Sequence, residues 1–241
     1  MRALVLVLLS AAGIALAHAQ GLEERLFEAI GEGKELVAEG MILKGGVNLN
    51  ARNAARETPL HRAVEKGMPQ LVRLLLARKV DLRARSETGE TALHLAGLHA
   101  NPVFAELLLA AGADAKVRND AGETVLHWAA LTGNPQTAAR LLAAGADPDM
   151  RDLRGNTALH GAADGGHVDV VKLLLARVAE PAAKNREGKS AADVAAQRGY
   201  TDIAKLIAGA PAGAPAGSAA AGRGFRTIDI DSPDHPTRGL Q

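Results

Sequence analysis

One four-residue stretch, Thr58-Pro59-Leu60-His61, returns at a fixed spacing along this chain of 241 residues. Close copies begin at Thr91, Thr124 and Thr157, so the step from each copy to the next has the same length. A weaker copy, Ser190-Ala191-Ala192-Asp193, follows at the same spacing. Self-similarity with a fixed period of this length indicates an array of repeated structural units rather than a single globular core.

Each copy carries the signals of a short helix. The hydroxyl of Thr58 suits a helix N-cap, and Pro59 suits the first helical position because the N–H it lacks would have no partner there. Glycines suited to a left-handed backbone mark the helix ends, at Gly67, Gly133, Gly166 and Gly199. A second helix follows in each unit, with an apolar stripe formed by Val72, Leu75, Leu76, Leu108, Leu109, Leu141, Leu142, Val171, Leu174, Leu175, Ile203 and Ile207.

Segments rich in glycine and aspartate, such as Gly112-Ala113-Asp114 and Gly145-Ala146-Asp147, join these helix pairs. Their composition predicts extended, hairpin-like loops. One helix pair cannot cover both of its own apolar faces, so neighbouring units must stack. The sequence therefore predicts an all-α repeat, a solenoid of stacked helix-turn-helix units joined by hairpin-like loops.

The T-P-L-H stretch, its constant period and the Gly-Ala-Asp segments together resemble the ankyrin-repeat family, over roughly residues 22–209. The resemblance implies an ankyrin solenoid that binds another protein. Three positions depart from the family pattern. Lys79 and Val178 replace the glycine expected after a second helix, and Arg56 replaces a turn glycine. Because a left-handed backbone is costly for residues with a side chain, we expect reshaped or less stable joints there.

The period divides the chain into segments with defined expectations. The first unit should present charged side chains on its uncovered outer face, namely Glu23, Glu24, Glu28, Glu32 and Lys34. In the last unit, Ser190 and Asp193 predict a capping box. The predicted segments are a signal peptide over 1–19, an N-terminal capping unit over 20–53, ankyrin repeats over 54–86, 87–119, 120–152 and 153–185, a C-terminal capping unit over 186–209, and a flexible Ala/Pro/Gly-rich tail over 210–241.

The first residues read as a secretory signal. Met1-Arg2 precedes a short apolar run from Ala3 to Leu16, and Ala17-His18-Ala19 supplies small residues two apart, with cleavage expected before Gln20. An exported chain without cysteine fits a bacterial periplasm best. The alternative is an uncleaved leader that tethers a structural envelope protein to the membrane. After cleavage we expect no membrane insertion.

Composition and motifs narrow the function further. The absence of cysteine excludes disulfides, thiolate catalysis and cysteine-based zinc sites. A formal net charge of +1 lacks the basic excess typical of nucleic-acid binding, so we expect no nucleic-acid partner. No catalytic triad, phosphate-binding glycine loop or metal-binding helix motif is present, which predicts a protein that is not an enzyme and holds no cofactor or metal. A hydrolase with an unfamiliar site remains the enzymatic alternative.

Periodic polar residues have structural explanations. In the ankyrin family the histidine of T-P-L-H makes hydrogen bonds that tie the hairpin to the helix, and we interpret His61, His94, His127 and His160 in this way rather than as metal ligands. Trp128 is interpreted as an inter-repeat packing residue, with a binding hot spot as the alternative. Two charged rows predict either a solvated, mutually neutralising face or a charged docking edge: Arg52, Arg85, Arg118, Arg151 and Lys184, and Glu57, Glu90 and Glu123.

The family binds partners through a concave groove formed by the first helices and the loop tips. Leu98, Leu131 and Leu153 are the preferred anchors, because exposed leucines in a groove favour contact with a partner. We expect a monomer that binds another protein. In the tail, Phe225 to Asp231 alternates apolar and polar residues; it is interpreted as disordered, or alternatively as a strand-like motif. The candidate partner-binding residues are Glu65, Lys66, Leu98, His99, Leu131, Thr132, Leu153 and Arg154.

Overall fold

A computed structural model of the chain describes residues 21–177 and 180–211. These residues form twelve helices and no strand, which confirms the all-α repeat solenoid. None of these helices is both long and apolar enough to cross a membrane. The helices are α1 (21–31), α2 (Glu35–Lys44), α3 (Pro59–Glu65), α4 (Pro69–Ala77), α5 (Ala92–Leu98), α6 (Val103–Ala110), α7 (Val125–Leu131), α8 (Pro135–Ala143), α9 (Ala158–Asp164), α10 (Val168–Leu175), α11 (Ala191–Gln197) and α12 (Thr201–Ala208).

The pair α3 and α4 shows how local sequence forms one unit. Thr58 has an extended backbone just before α3, and Pro59 occupies the first helical position, as predicted. The chain leaves α3 through Gly67, whose φ of +69° lies in the left-handed region. This turn lets the Met68 N–H donate to the Ala63 carbonyl at 2.9 Å, and α4 begins one residue later. The predicted glycine ends are confirmed at Gly133, Gly166 and Gly199, with φ of +70°, +72° and +85°.

The core extends along the array, both within each helix pair and between neighbouring pairs. Small side chains on the first helices let successive units approach closely, and larger ones on the second helices fill the space behind them. The alanines recur once in each unit and are fully buried: Ala63, Ala96, Ala129, Ala162 and Ala195. The matching positions of the second helices are Leu75, Leu108, Leu141, Leu174 and Ile207, all buried.

The two ends of the array are finished differently. In the last unit the predicted capping box is confirmed, since the Asp193 N–H donates to Ser190 Oγ at 3.2 Å and the Ser190 N–H donates to Asp193 Oδ2 at 2.8 Å. In the first unit Glu24, Glu28, Glu32 and Lys34 are exposed, as expected of a cap, whereas Glu23 is half-buried and accepts the Asn48 N–H at 3.0 Å. However, α2 also exposes three large apolar side chains, which were not predicted from the sequence.

The structure describes the backbone at two of the three positions that depart from the family pattern. Arg56 and Lys79 adopt φ of 59° and 55°, so both hold the left-handed backbone that glycine would adopt at lower cost. Val178 lies outside the described residues. The predicted signal peptide lies outside them as well, as does the tail from residue 212 onward.

Candidate functional site

The loops between helix pairs stack into a continuous edge along the array. Each loop folds back as a hairpin, as in the bond from the Asn119 N–H to the Glu123 carbonyl at 2.9 Å. Successive hairpins are joined by one backbone bond each. These bonds run from the N–H of Glu87 to the carbonyl of Ala55, from Asp120 to Thr88, from Leu153 to Ala121 and from Arg186 to Arg154, at 2.9, 3.1, 2.9 and 2.9 Å.

The periodic histidines connect each helix to the next hairpin. The Thr58 N–H donates to Nδ1 of His61 at 3.2 Å, and Nε2 of the same ring lies 3.1 Å from the carbonyl of Glu90. Since a carbonyl can only accept, this geometry assigns the proton to Nε2. The Nε2 atoms of His94, His127 and His160 lie 3.3, 3.1 and 3.1 Å from the carbonyls of Glu123, Asn156 and Lys189.

Burial keeps these four imidazoles neutral. It lowers the pKa of His61, His127 and His160, and it lowers the pKa of His94 to about 4. Both ring nitrogens are already engaged, which confirms their interpretation as structural residues. In the described part of the chain, no group of His, Asp and Glu side chains is arranged to hold a metal ion.

The periodic arginines also connect successive units. The guanidinium groups of Arg52, Arg118 and Arg151 donate to backbone carbonyls one unit further on, at 2.9, 2.7 and 2.7 Å. Arg85 instead pairs with the Asp120 carboxylate at 2.8 Å. The sequence predicted a solvated face or a docking edge, not these bonds between units. A constant spacing shows that the arginines align, but it does not show that their reach matches the next carbonyl.

The periodic glutamates accept hydrogen bonds from residues of their own hairpins. Glu57 accepts from Asn53 Nδ2 at 2.8 Å, and Glu123 accepts from Asn119 Nδ2 at 2.9 Å. Glu123 also accepts from the indole Nε1 of Trp128 at 2.8 Å. These carboxylates are therefore partly committed to structure, and their charge is less available to a partner than the bare sequence suggests.

Two of the predicted leucines lie at equivalent positions on the inner face, which the first helices of the units form. Leu98 ends α5 and Leu131 ends α7, one unit apart, and their exposed fractions are 48% and 52%. Leu153 lies at a hairpin tip with an exposed fraction of 52%. The structure therefore leaves all three predicted anchors free to contact a partner.

A cavity of about 540 Å³ opens on the inner face of the last three units. Trp128 and Leu131 line one side of it, and Val194 contributes from α11. Trp128 also packs edge-on against His94 of the preceding unit, with ring centroids 5.6 Å apart. The packing role predicted for Trp128 is confirmed, and the same half-buried side chain contributes an aromatic wall to the cavity.

Most of the residues that line this cavity are polar or charged. Arg198 donates to both carboxylate oxygens of Asp164, at 2.6 and 3.1 Å, and Lys189 pairs with Glu187 at 2.8 Å. Arg154 is exposed and makes no ion pair within the described part of the chain. The Arg154 guanidinium therefore shares the lining of the cavity with Trp128 and Leu131.

Comparison with known families identifies the architecture. A family model described as ankyrin repeats in three copies matches residues 26–119, 60–152, 98–185 and 126–215, which together cover well over half of the chain. The chain belongs to the ankyrin-repeat family. Ankyrin repeats generally mediate protein–protein interaction. A search of curated proteins returned no match to this chain.

The ankyrin array brings only some of the predicted partner-binding residues together. Leu131 and Arg154 both line the inner-face cavity, whereas the other six candidates do not. Thr132 is tied to the array, since its hydroxyl donates to the Gly97 carbonyl at 3.1 Å. The His99 ring packs on Phe104 with centroids 4.7 Å apart. These two side chains have structural contacts that the sequence did not reveal.

At the start of the array, the inner face is more polar. Glu65 is exposed and pairs with Arg62 on the same helix, and Lys66 is exposed at the end of α3. Lys189 and Arg198 of the cavity were not among the predicted partner-binding residues, and partner binding by Trp128 was predicted only as the alternative to its packing role. Arg198 could have been found from the repeat period, because it stands two units after Thr132, which was predicted.

Proposed function

We propose that this chain is an exported, non-enzymatic ankyrin-repeat scaffold that binds another protein through its inner face. The observation that carries the proposal is the exposure of Leu98, Leu131 and Leu153, of which Leu131 lines the inner-face cavity together with Trp128. Large apolar side chains exposed near a concavity favour a protein partner. The partner would place an apolar side chain against Trp128 and Leu131, and a carboxylate near Arg154.

Rigidity supplies the binding mechanism. Backbone bonds between hairpins and the histidine bonds between units fix the inner face before any partner arrives. Less conformational entropy is then lost on binding than a flexible surface would lose. The leucines are presented by helix ends and a hairpin tip that are already ordered, so affinity depends mainly on the fit of the partner to this surface.

Affinity capture from the host tests the proposal. The tagged protein should retain a specific protein that is lost from a Leu98→Asp, Leu131→Asp, Leu153→Asp variant, as read by mass spectrometry. A Val168→Asp, Leu206→Asp variant is the matched control, because it places the same kind of charge on exposed apolar residues of the outer helices. Circular dichroism must show that both variants remain folded.

The outcomes are distinct. Loss of the captured protein only from the inner-face variant supports the proposal. Retention by all variants contradicts the inner-face assignment, and capture of nothing by the parent protein contradicts the scaffold function itself.

The export step is part of the same proposal and rests on the basic start, the apolar run and the Ala17-His18-Ala19 stretch. We place the mature protein in a bacterial periplasm. Determining the N-terminal residue of protein recovered from the host tests this placement. Gln20 in a soluble envelope fraction supports it, whereas Met1 in membranes indicates a tethered envelope protein instead.

A further inference from the structure

Helix α2, at the start of the array, exposes three large apolar side chains to solvent. Leu36, Val37 and Leu43 have exposed fractions of 83%, 52% and 64%, and Leu36 is the most exposed large apolar side chain of the described residues. The other exposed large apolar residues are spread over several elements. The three on this ten-residue helix, together with Gly40, form a single patch, which we call the α2 patch: Leu36, Val37, Gly40 and Leu43.

The repeat itself shows that one position of this patch is normally covered. Val37 corresponds to Leu71 of the next unit when Gly33 is aligned with Gly67, and this position is buried in each later unit. Among the described residues no unit precedes α2, so the same position stands open. The equivalent buried residues are Leu71, Phe104, Thr137, Val170 and Ile203.

The α2 patch has the geometry of a helix-pairing seam. Leu36, Gly40 and Leu43 are spaced i, i+4 and i+7, which places them along one side of the helix. Ala38 and Ile42 lie on the opposite side and are buried in the array. Gly40 presents open space, since a Cβ atom added there would meet nothing within 4 Å. A second helix could therefore approach the seam closely at its centre.

Charges beside the seam specify which helix fits. Glu39 and Lys44 flank it on opposite sides, at positions i and i+5, and neither makes an ion pair within the described residues. In a parallel pair of identical helices, this spacing places Glu39 of each copy opposite Lys44 of the other. The patch is thus complementary to itself in both its apolar seam and its flanking charges.

We infer that the α2 patch is a homodimer interface in which two copies of the chain pair their α2 helices in parallel about a two-fold axis. The axis runs alongside both helices, so each residue of the seam faces its own counterpart and the two arrays extend in opposite directions. This inference goes beyond the binding of a partner on the inner face and replaces the expectation of a monomer.

Charge exchange tests both the interface and its orientation. Sedimentation equilibrium of the purified protein should show a mass that rises with concentration towards twice that of the monomer. Glu39→Lys and Lys44→Glu should each shift the protein to monomer by placing like charges opposite each other, and the double variant should restore the dimer. A monomeric parent protein, or a dimer unaffected by either single change, would overturn the inference.

Cysteine crosslinking tests the interface without a measurement of the association equilibrium, because a disulfide traps the paired copies covalently. The chain has no cysteine, so a Gly40→Cys variant carries a single thiol on the expected axis. Mild oxidation should convert it to a disulfide-linked dimer at protein concentrations where a Leu206→Cys variant, exposed at the far end of the array, stays monomeric. Equal crosslinking of the two variants would overturn the inference, as would none in Gly40→Cys.

Discussion

Thr137 is a polar residue at a position that the repeat otherwise fills with apolar side chains. It is fully buried. Among the described residues, its Oγ1 is the one buried side-chain nitrogen or oxygen atom without a hydrogen-bond partner. Its neighbours in the period are Phe104 and Val170, both buried. The methyl group of Thr137 therefore serves the packing, while its hydroxyl loses hydration without compensation.

Replacing Thr137 by valine should stabilise the array. The side chains have nearly the same shape, so Thr137→Val removes the unsatisfied hydroxyl without leaving a cavity, and the free energy of unfolding should rise by about 1 kcal/mol or more. Urea unfolding followed by circular dichroism measures the change. Thr137→Ser is the control, because it keeps the hydroxyl, removes the methyl group and should lower stability. A valine variant no more stable than the parent would show that the hydroxyl is satisfied.

At the scale of helices and loops, local signals were readable from sequence and contacts between units were not. Thr58, Pro59 and Gly67 act on their own helix, so short-range rules predicted where α3 begins and where the chain turns into α4. The bond from Arg151 to the Lys184 carbonyl depends on how two units stack. The exposed apolar side of α2 was missed for the same reason, since which side faces the array follows from stacking.

The end of α4 offers a test of the family pattern. Lys79 holds a left-handed backbone with φ 55°, where the family expects glycine. Lys79→Gly should raise the free energy of unfolding by about 1 kcal/mol, because glycine relieves the steric cost of that conformation. The greater flexibility of glycine in the unfolded chain offsets part of this stabilisation. Lys79→Ala removes the same amine but keeps the strain, so it should show no gain in a thermal or urea melt. Equal stabilisation by both substitutions would attribute the effect to the lysine charge instead.

At the scale of the whole molecule, stability is shared by neighbouring units rather than held in one core. Among the described helices, the main contacts between units join neighbouring units, so the array behaves as a chain of coupled interfaces. The four buried histidines lie at these interfaces, each joining a helix of one unit to the hairpin of the next. A condition that weakens all four at once therefore acts along most of the array.

Acid is that condition, and the lowered pKa values determine the direction of its effect on stability. Burial lowers the pKa of His94 from 6.5 to about 4, so the unfolded chain binds its proton first as the pH falls. The stability held by neutral His94 is complete above pH 6.5 and is lost between there and about pH 4. Lowering the pH to 5 should remove about 2 kcal/mol through His94 alone. The other three histidines act in the same direction, since burial lowers their pKa values too.

Urea unfolding at pH 7.5, 6 and 5 measures this loss, and His94→Gln provides the matched comparison. The glutamine amide is able to donate to the Glu123 carbonyl but cannot titrate, so the variant should lose less stability than the parent between pH 7.5 and 5. Asp193 does not affect this window. Its bond from the Ser190 hydroxyl lowers the pKa of the carboxylate below 3.8, so its contribution is lost only in stronger acid. A parent protein equally stable at pH 7.5 and 5 would contradict the role of the buried histidines, because it would mean that they do not remain neutral in the folded array.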